Sequence, residues 1–545
     1  MKSIIIVGSG VAGATLARQL LETENDYQIT VFEAGPDFKP GDYRIWLDQV
    51  MADNDSLYRD FVDDPRTENE HFGLRGSRLF MKGGTTNHWG GLTPRFKPED
   101  FELKSRAGFG TDWPISYEDL APYYAEAEIL LGITGDSEND DPPRYGAKYP
   151  FPPTDFTLGD MVIIEALESH GISYGHMSIA RNGDRCITTG TCNYCPVNAR
   201  YTALYDFAQL QLAYDGKLTL KTESPVTRIL MDGKERARGV SFLNLETAAS
   251  DSMEADVVVV CSGTIESAKL LLASANEDWT DGIGNDSGHV GRHLIGHPVM
   301  GASGVRPGNP DKLHEELGFD SLISRHFDSP EYQHKGKMWF SGSVGSTSSL
   351  ERQILSNASR ADIDARMVSE MRVSVGGEME QFESPENRVS LGSGTTRHGL
   401  PTTEIEVAVH EVNIETRQEH VQTFVEILKT AGCAEDSIES YAVDPDGAHA
   451  SATCRMSSSD GNGVVDPDLQ VHGTDNLYVC SNAVFPSIAA ANPTLTVSAL
   501  AVRLAEHIGA VLRGSDPAAM DARQPRERQY RGRVAPALGA AAECR

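Results

Sequence analysis

The chain has 545 residues, 39% of them hydrophobic, with 79 acidic against 48 basic side chains and a formal charge of −31. That length accommodates roughly two to four domains around a large core, and the acidic surface argues against nucleic acid or an anionic membrane as a partner. No stretch reads as a membrane span, the first strand starts at residue 2 with no basic or apolar leader, and eight cysteines are too few for a disulfide framework, so the expectation is a cytoplasmic protein.

Lys2-Ser3-Ile4-Ile5-Ile6-Val7 reads as a buried strand entering Gly8-Ser9-Gly10-Val11-Ala12-Gly13, followed by a helical run from Ala14 to Leu21. In such a unit Gly8 permits the tight turn, Gly10 lets the backbone approach a pyrophosphate, and Gly13 lets the helix lie on the strand with its first N–H groups facing the phosphates. A second strand, Gln28 to Phe32, delivers Glu33 twenty residues past Gly13. A carboxylate there accepts ribose hydroxyl protons and repels a 2′-phosphate, which predicts FAD or NAD and not NADP. The competing reading is a glycine turn that holds no ligand. The polar stretch from Ala34-Gly35-Pro36 to about Arg75 carries few strand or helix cues and reads as a lid or an interface arm.

Next comes Arg78 to Gly91, in which Gly83-Gly84 and Gly90-Gly91 bracket Thr85-Thr86-Asn87-His88-Trp89. A loop of this kind can press its backbone against a flat ligand. It resembles the Gly-Gly-Ser/Thr loop that follows the FAD fingerprint in glucose–methanol–choline (GMC) oxidoreductases. The Thr-x-His-Trp variant is similar to that of pyranose oxidases and sugar dehydrogenase flavoprotein subunits. The resemblance implies that Gly83, Gly84, Thr85, Asn87 and His88 contact flavin, with His88 matching a histidine bonded to the 8α-methyl in pyranose oxidases; a histidine that only packs beside the ring is the alternative. Asp112-Trp113-Pro114-Ile115-Ser116-Tyr117 resembles the sugar-oxidising branch and predicts a helix over Ala121 to Leu131 in which Ser116 is the N-cap. Residues 135–153 read as a loop.

Cys186, Cys192 and Cys195, spaced C-x5-C-x2-C, have the density of a metal or iron–sulfur site. Certain sugar dehydrogenase subunits that pass electrons to a haem partner carry a similar triplet, with one more residue between the last two cysteines. An iron–sulfur cluster, zinc, a Cys pair and free thiols all stay open. Leu218–Lys221, Val226–Met231, Arg238–Leu243 and Ala255–Val260 alternate as the strands of a meander, with Val226 placed to meet adenine. Cys261-Ser262-Gly263-Thr264 resembles the second family signature, and Gly291-Arg292 through His297-Pro298 resembles the exit from the cofactor domain, with His297 read as a structural histidine. Residues 299–440 change to short alternating runs, Lys337–Ser341, Arg372–Val375, Arg388–Leu391 and Glu404–Val409, which suggest an antiparallel sheet under a helix from Thr416 to Ala431.

Near the C-terminus, His449, Thr453, Arg455 and Met456 keep the family pattern His-x-x-Gly-Thr-x-Arg-Met-Gly, while Ala452 and Ser457 replace its glycines. Ser481 and Asn482 follow the last core strand, and Ser481 stands where many members have Asp. In Ala491-Asn492-Pro493-Thr494, Asn492 suits the N-cap and Pro493 the N1 position of a helix running to about Ile508. The pyranose-oxidising branch has a matching asparagine that pairs with the catalytic histidine, and a helix N-terminus aimed at the flavin would favour the anionic reduced ring. Pro493 and Thr494 would then touch cofactor.

The resemblance implies an α/β, two-domain GMC fold. A Rossmann-like FAD-binding domain comes from residues 1–298, with flavin loop 78–95 and Cys-rich loop 184–200 inserted, and from 441–512. A discontinuous antiparallel-sheet substrate domain spans 299–440, and 513–545 is a disordered tail or subunit contact. It also implies a small-molecule sugar or glycoside substrate oxidised at a secondary hydroxyl, pyranose C2 or C3, with His449 as base and Asn492 holding the oxygen. Dioxygen or another acceptor reoxidises the flavin, the latter in an iron–sulfur- and cytochrome-coupled dehydrogenase subunit; a homo-oligomer or a small electron-transfer or chaperone-like subunit is an expected partner. The other classes are a GMC-type lyase without redox turnover and an NAD-binding module using only the first unit.

Overall fold

A computed structural model describes residues 1–22, 26–38, 66–67, 72–74, 77–139, 142–186, 194–311, 321–346, 353, 356–445 and 447–515. Its central layer is a five-stranded parallel sheet in the order Leu477–Val479, Val257–Val260, Lys2–Val7, Tyr27–Phe32, Leu218–Lys221. Ile4 pairs with Ile29 on one side and Val257 on the other, and a strand flanked in this way is buried on both faces. The uninterrupted apolar run Ile4-Ile5-Ile6 is therefore at most 1% exposed. Helix Val11–Glu22 packs against helix Thr494–Arg513, which also packs on Tyr117–Leu131, so the two ends of the chain share one core. Thr494–Arg513 is the one described helix long and apolar enough to cross a membrane, and most of it is buried inside the protein.

The second layer is antiparallel, in the order Met338–Ser346, Glu370–Met379, Val299–Pro307, Glu439–Val443. Helices Leu158–Ser169 and Glu411–Thr430 cover it, around Phe340, Val373, Phe424 and Ile427. Pairing of Met300 with Ala442 carries this layer past residue 440.

Four expectations change. Leu218–Lys221 and Val257–Val260 belong to the parallel sheet, and the meander is Val226–Asp232, Arg236–Asn244 and Ala249–Glu254. Four-residue apolar runs look alike in both settings, and the exposed Ala249–Glu254 has no buried face to reveal it. The runs from 337 to 409 divide between two sheets: Arg388–Thr395 and Pro401–Glu406 form a separate hairpin that also pairs with Arg66–Thr67. The covering helix begins at Glu411, because the His410 ring accepts the Val412 N–H, a cap no preference scale favours. Helix Thr494–Arg513 has Pro493 at its N-cap, leaving the Asn492 side chain for other partners. Ser116 does cap its helix, in a capping box with Asp119.

Candidate active site

A long cleft runs over the C-terminal ends of the parallel strands, where open α/β sheets hold ligands. Its walls include Gly8, Gly10, Glu33, Gly84, Thr85, Val226, Ser481, Asn482, Pro493 and Thr494, supplied by six separate segments. Gly13, Gly83, Asn87 and His88 do not line it. A Cβ at Gly13 would stand 2.2 Å from the Gly8 carbonyl oxygen, so this residue serves the turn, whereas at Gly10 a Cβ would meet nothing within 4 Å and the backbone faces open space. That is the cradle a pyrophosphate requires. Glu33 accepts from Ser9 N and Oγ on one oxygen and from Gly35 N on the other, while burial raises its pKa. Glu33 itself forms part of the cleft wall, at the place where this fold meets a ribose.

Loop 83–92 is held from behind. Asn87 donates to the Lys82 carbonyl and accepts from Thr202 Oγ1, and the Trp89 indole donates to the Tyr201 carbonyl. Arg200 donates to the carbonyls of Asn87 and Trp89. Burial, aided by Arg200, lowers the His88 imidazole to about 4, so it stands neutral at pH 7. Cys186 and Cys195 are free thiols, and Cys192 lies outside the described residues. Residues 516–545 of the expected tail and most of 39–71 lie outside them as well.

Beside the cleft, Ala448 and Ala450 flank His449, and Pro493 follows Asn492. His449 Nδ1 is 2.9 Å from His297 Nδ1, and His297 Nε2 is 3.0 Å from the Ala489 carbonyl oxygen. A carbonyl only accepts, so His297 carries its hydrogen on Nε2; burial lowers its pKa and keeps it neutral, so its Nδ1 is an acceptor. His449 must then place its hydrogen on Nδ1, which leaves its Nε2 as an acceptor. Glu378 Oε2 lies 3.3 Å from His449 Nδ1 and 3.4 Å from His297 Nδ1, and accepts from Asn492 Nδ2 at 3.0 Å. Burial pulls Glu378 up, but a positive charge on His449 outweighs it and holds the carboxyl well below its usual range once that ring is protonated. Asn492 Nδ2 is 3.4 Å from His449 Nε2. The arrangement is a base whose proton position is set by a histidine and whose positive form is stabilised by a carboxylate. Ligand atoms of His297, Glu378 and His449 lie within 4.8 Å of one another, as a cation site would need. The direct Nδ1···Nδ1 hydrogen bond already occupies two of those atoms.

Sequence reasoning singled out His449 and Asn492, which the fold brings together. It treated His297 as structural, yet that ring orients His449. Glu378 went unnoticed because Gly376-Gly377-Glu378-Met379-Glu380 carries no motif. Further along, Arg455 donates to both oxygens of Glu383, which also takes Thr111 and contacts His293 at 2.7 Å. This network ties Arg455 to the segment that follows strand Glu370–Met379.

Two profiles described as GMC oxidoreductase match residues 99–299 and 383–501. The chain belongs to the GMC oxidoreductase family. As such it is an oxidoreductase acting on CH–OH groups, and the family implies FAD, which the Gly10 cradle and Glu33 fit. This GMC oxidoreductase is 26% identical over 543 residues to the fructose dehydrogenase large subunit of Gluconobacter japonicus, with 93% of this chain and 97% of that one covered. It is 26% identical to the C-glycoside 3-oxidase of Microbacterium trichothecenolyticum, covering 93% and 96%. Among solved structures, the pyridoxine 4-oxidase from Mesorbium loti superposes with a TM-score of 0.64 at 19% identity over 93% of this chain and 99% of that one, a likeness of fold.

Proposed function

We propose that this GMC oxidoreductase oxidises a secondary hydroxyl of a sugar or glycoside, at pyranose C2 or C3, to the ketone. The observation that carries the reading is the Glu378–His297–His449–Asn492 cluster beside the nucleotide cleft, and the two sugar-acting relatives named above support the substrate class. Bound FAD supplies the acceptor for the carbinol hydride. His449 Nε2 takes the hydroxyl proton. Of the two Asn492 amide hydrogens, one is committed to Glu378, and the other reaches His449 Nε2 in a long contact of 3.4 Å that a carbinol oxygen, bonding to both groups, would replace. Once His449 is protonated, Glu378 stabilises the cation, and His297 keeps the ring from turning. Gly8, Gly10, Glu33, Gly84, Thr85, Val226, Ser481, Asn482, Pro493 and Thr494 hold the cofactor in this reading.

Anaerobic titration of the holoenzyme with a panel of sugars, glycosides, polyols and simple alcohols tests it. Bleaching of the flavin by a pyranose or glycoside is the expected result; no bleaching by any alcohol would overturn it and favour the lyase class. Peroxide release under air assigns dioxygen as acceptor, and its absence assigns another. Flavin that stays with the denatured polypeptide supports the bond to His88. Iron in anaerobically prepared protein supports a cluster at Cys186, Cys192 and Cys195.

A further inference from the structure

We propose that the indole N–H of Trp339 binds a hydroxyl adjacent to the carbinol being oxidised, so that the substrate is a ring with vicinal hydroxyls and not a simple alcohol. The inference rests on the reading of His449 and Asn492 given above and extends it to the substrate. Trp339 stands directly opposite Glu378 in the antiparallel pairing of Met338–Ser346 with Glu370–Met379. Residues so paired share a face, with Cβ atoms about 4.5–5.5 Å apart. The ring shares a buried cluster with Met177, Ile179, Ile323 and Ala490, and Ala490 lies two positions before Asn492. It is 4% exposed, and its Nε1 has no acceptor.

The other described tryptophans differ. Trp89, Trp113 and Trp279 donate at 2.8–2.9 Å to the Tyr201 carbonyl, Ser487 Oγ and the Lys234 carbonyl. Buried indoles ordinarily find a partner, and one that lacks it beside the strand position of Glu378 calls for an explanation that a ligand hydroxyl would supply. Asn492 Oδ1 is also buried without a donor. The amide cannot gain by turning, because that would set its oxygen against the Glu378 carboxylate. Trp339, paired with Glu378 across the strands, and Asn492, which donates to Glu378, therefore leave one buried donor and one buried acceptor without partners next to the same carboxylate. The carbinol oxygen uses His449 Nε2 and the second Asn492 amide hydrogen. A neighbouring hydroxyl, which both accepts and donates, matches what remains.

The test uses the holoenzyme, the pyranose that bleaches the flavin fastest, and its analogue deoxygenated next to the oxidised carbon. Wild type should prefer the diol, and Trp339→Phe should lower the ratio of kcat/KM for diol over deoxy analogue by roughly 10- to 100-fold. A ratio that does not move overturns the proposal while leaving the sugar-oxidase reading intact. If Trp339→Phe fails to retain flavin, replacement of the indole by the isosteric benzothiophene side chain removes only the N–H and must produce the same collapse. If no sugar bleaches the wild-type flavin, the reading of the site fails and this inference falls with it.

Discussion

Glu378, partly exposed near the end of strand Glu370–Met379, and Glu380, fully buried just past it, sit two residues apart and differ in charge state. Glu378 faces His297, His449 and Asn492 and is held ionised. Glu380 is completely buried, neither of its oxygens has a hydrogen-bond partner, and burial raises it to about 8, with Asp100 and Asp328 adding to the rise and Lys337 opposing it. Lys337 is itself completely buried and contacts Asp100 and, at 3.2 Å, Asp328. Burial disfavours charge at both glutamates, and the neighbours decide which of them ionises. In the proposed reading the first region would use its charge on chemistry; the second holds the strand end in place with a cation shared among acids.

Removing the base should separate the regions most sharply. His449→Ala should slow flavin reduction by roughly 10²- to 10⁴-fold in anaerobic stopped flow, with the unfolding midpoint close to wild type. Near-normal reduction would end its assignment as base. In the second region, Lys337→Met leaves Asp100 without its cation and Asp328 with Arg325 alone, and should cost about 3–5 kcal/mol in denaturant unfolding. A loss under 1 kcal/mol would mean the acids are already neutral.

The two glutamates also predict opposite pH responses. Glu380 keeps its proton in the folded protein from its ordinary 4.5 up to about 8, while the unfolded chain releases it. The folded state binds more protons across that window, so stability falls as pH rises through it and levels off above. Glu378 is lowered on folding, so its contribution is full above the ordinary carboxylate range and is lost on acidification. Glu380→Gln should abolish a decline on the order of a few kcal/mol between about pH 5 and 8. An unaltered pH profile of the midpoint would contradict the raised value. The smallest effect concerns backbone, three residues past His449. Ala452 holds φ +78, a left-handed geometry glycine adopts freely and alanine does not. Ala452→Gly should stabilise by about 1 kcal/mol, read as a higher unfolding midpoint.

Legibility followed the length scale of the cause. Gly8 through Gly13 could be read because a strand, a tight turn and a helix are enforced by neighbours in the chain, and Ser116 because a cap and its Asp119 partner are three residues apart. The helix starting at Glu411 was misplaced because a histidine cap carries no propensity signal. Asn492 carried two readings, a helix cap from local chemistry and a partner of His449 from the family resemblance; Pro493 takes the cap, and the Asn492 side chain meets Glu378 and His449.

What the amino-acid order determined alone is the nucleotide-binding unit, since local backbone sterics and hydrogen bonding specify it; His449 and Asn492 were legible only through the motifs they share with the GMC family. What tertiary structure decided is the company they keep. His297 and Glu378 reach His449 from segments 152 and 71 residues away in sequence, and Trp339 is set opposite Glu378 by strand register. Register and layer packing arise from how whole faces bury against one another, and no short pattern of residues encodes that.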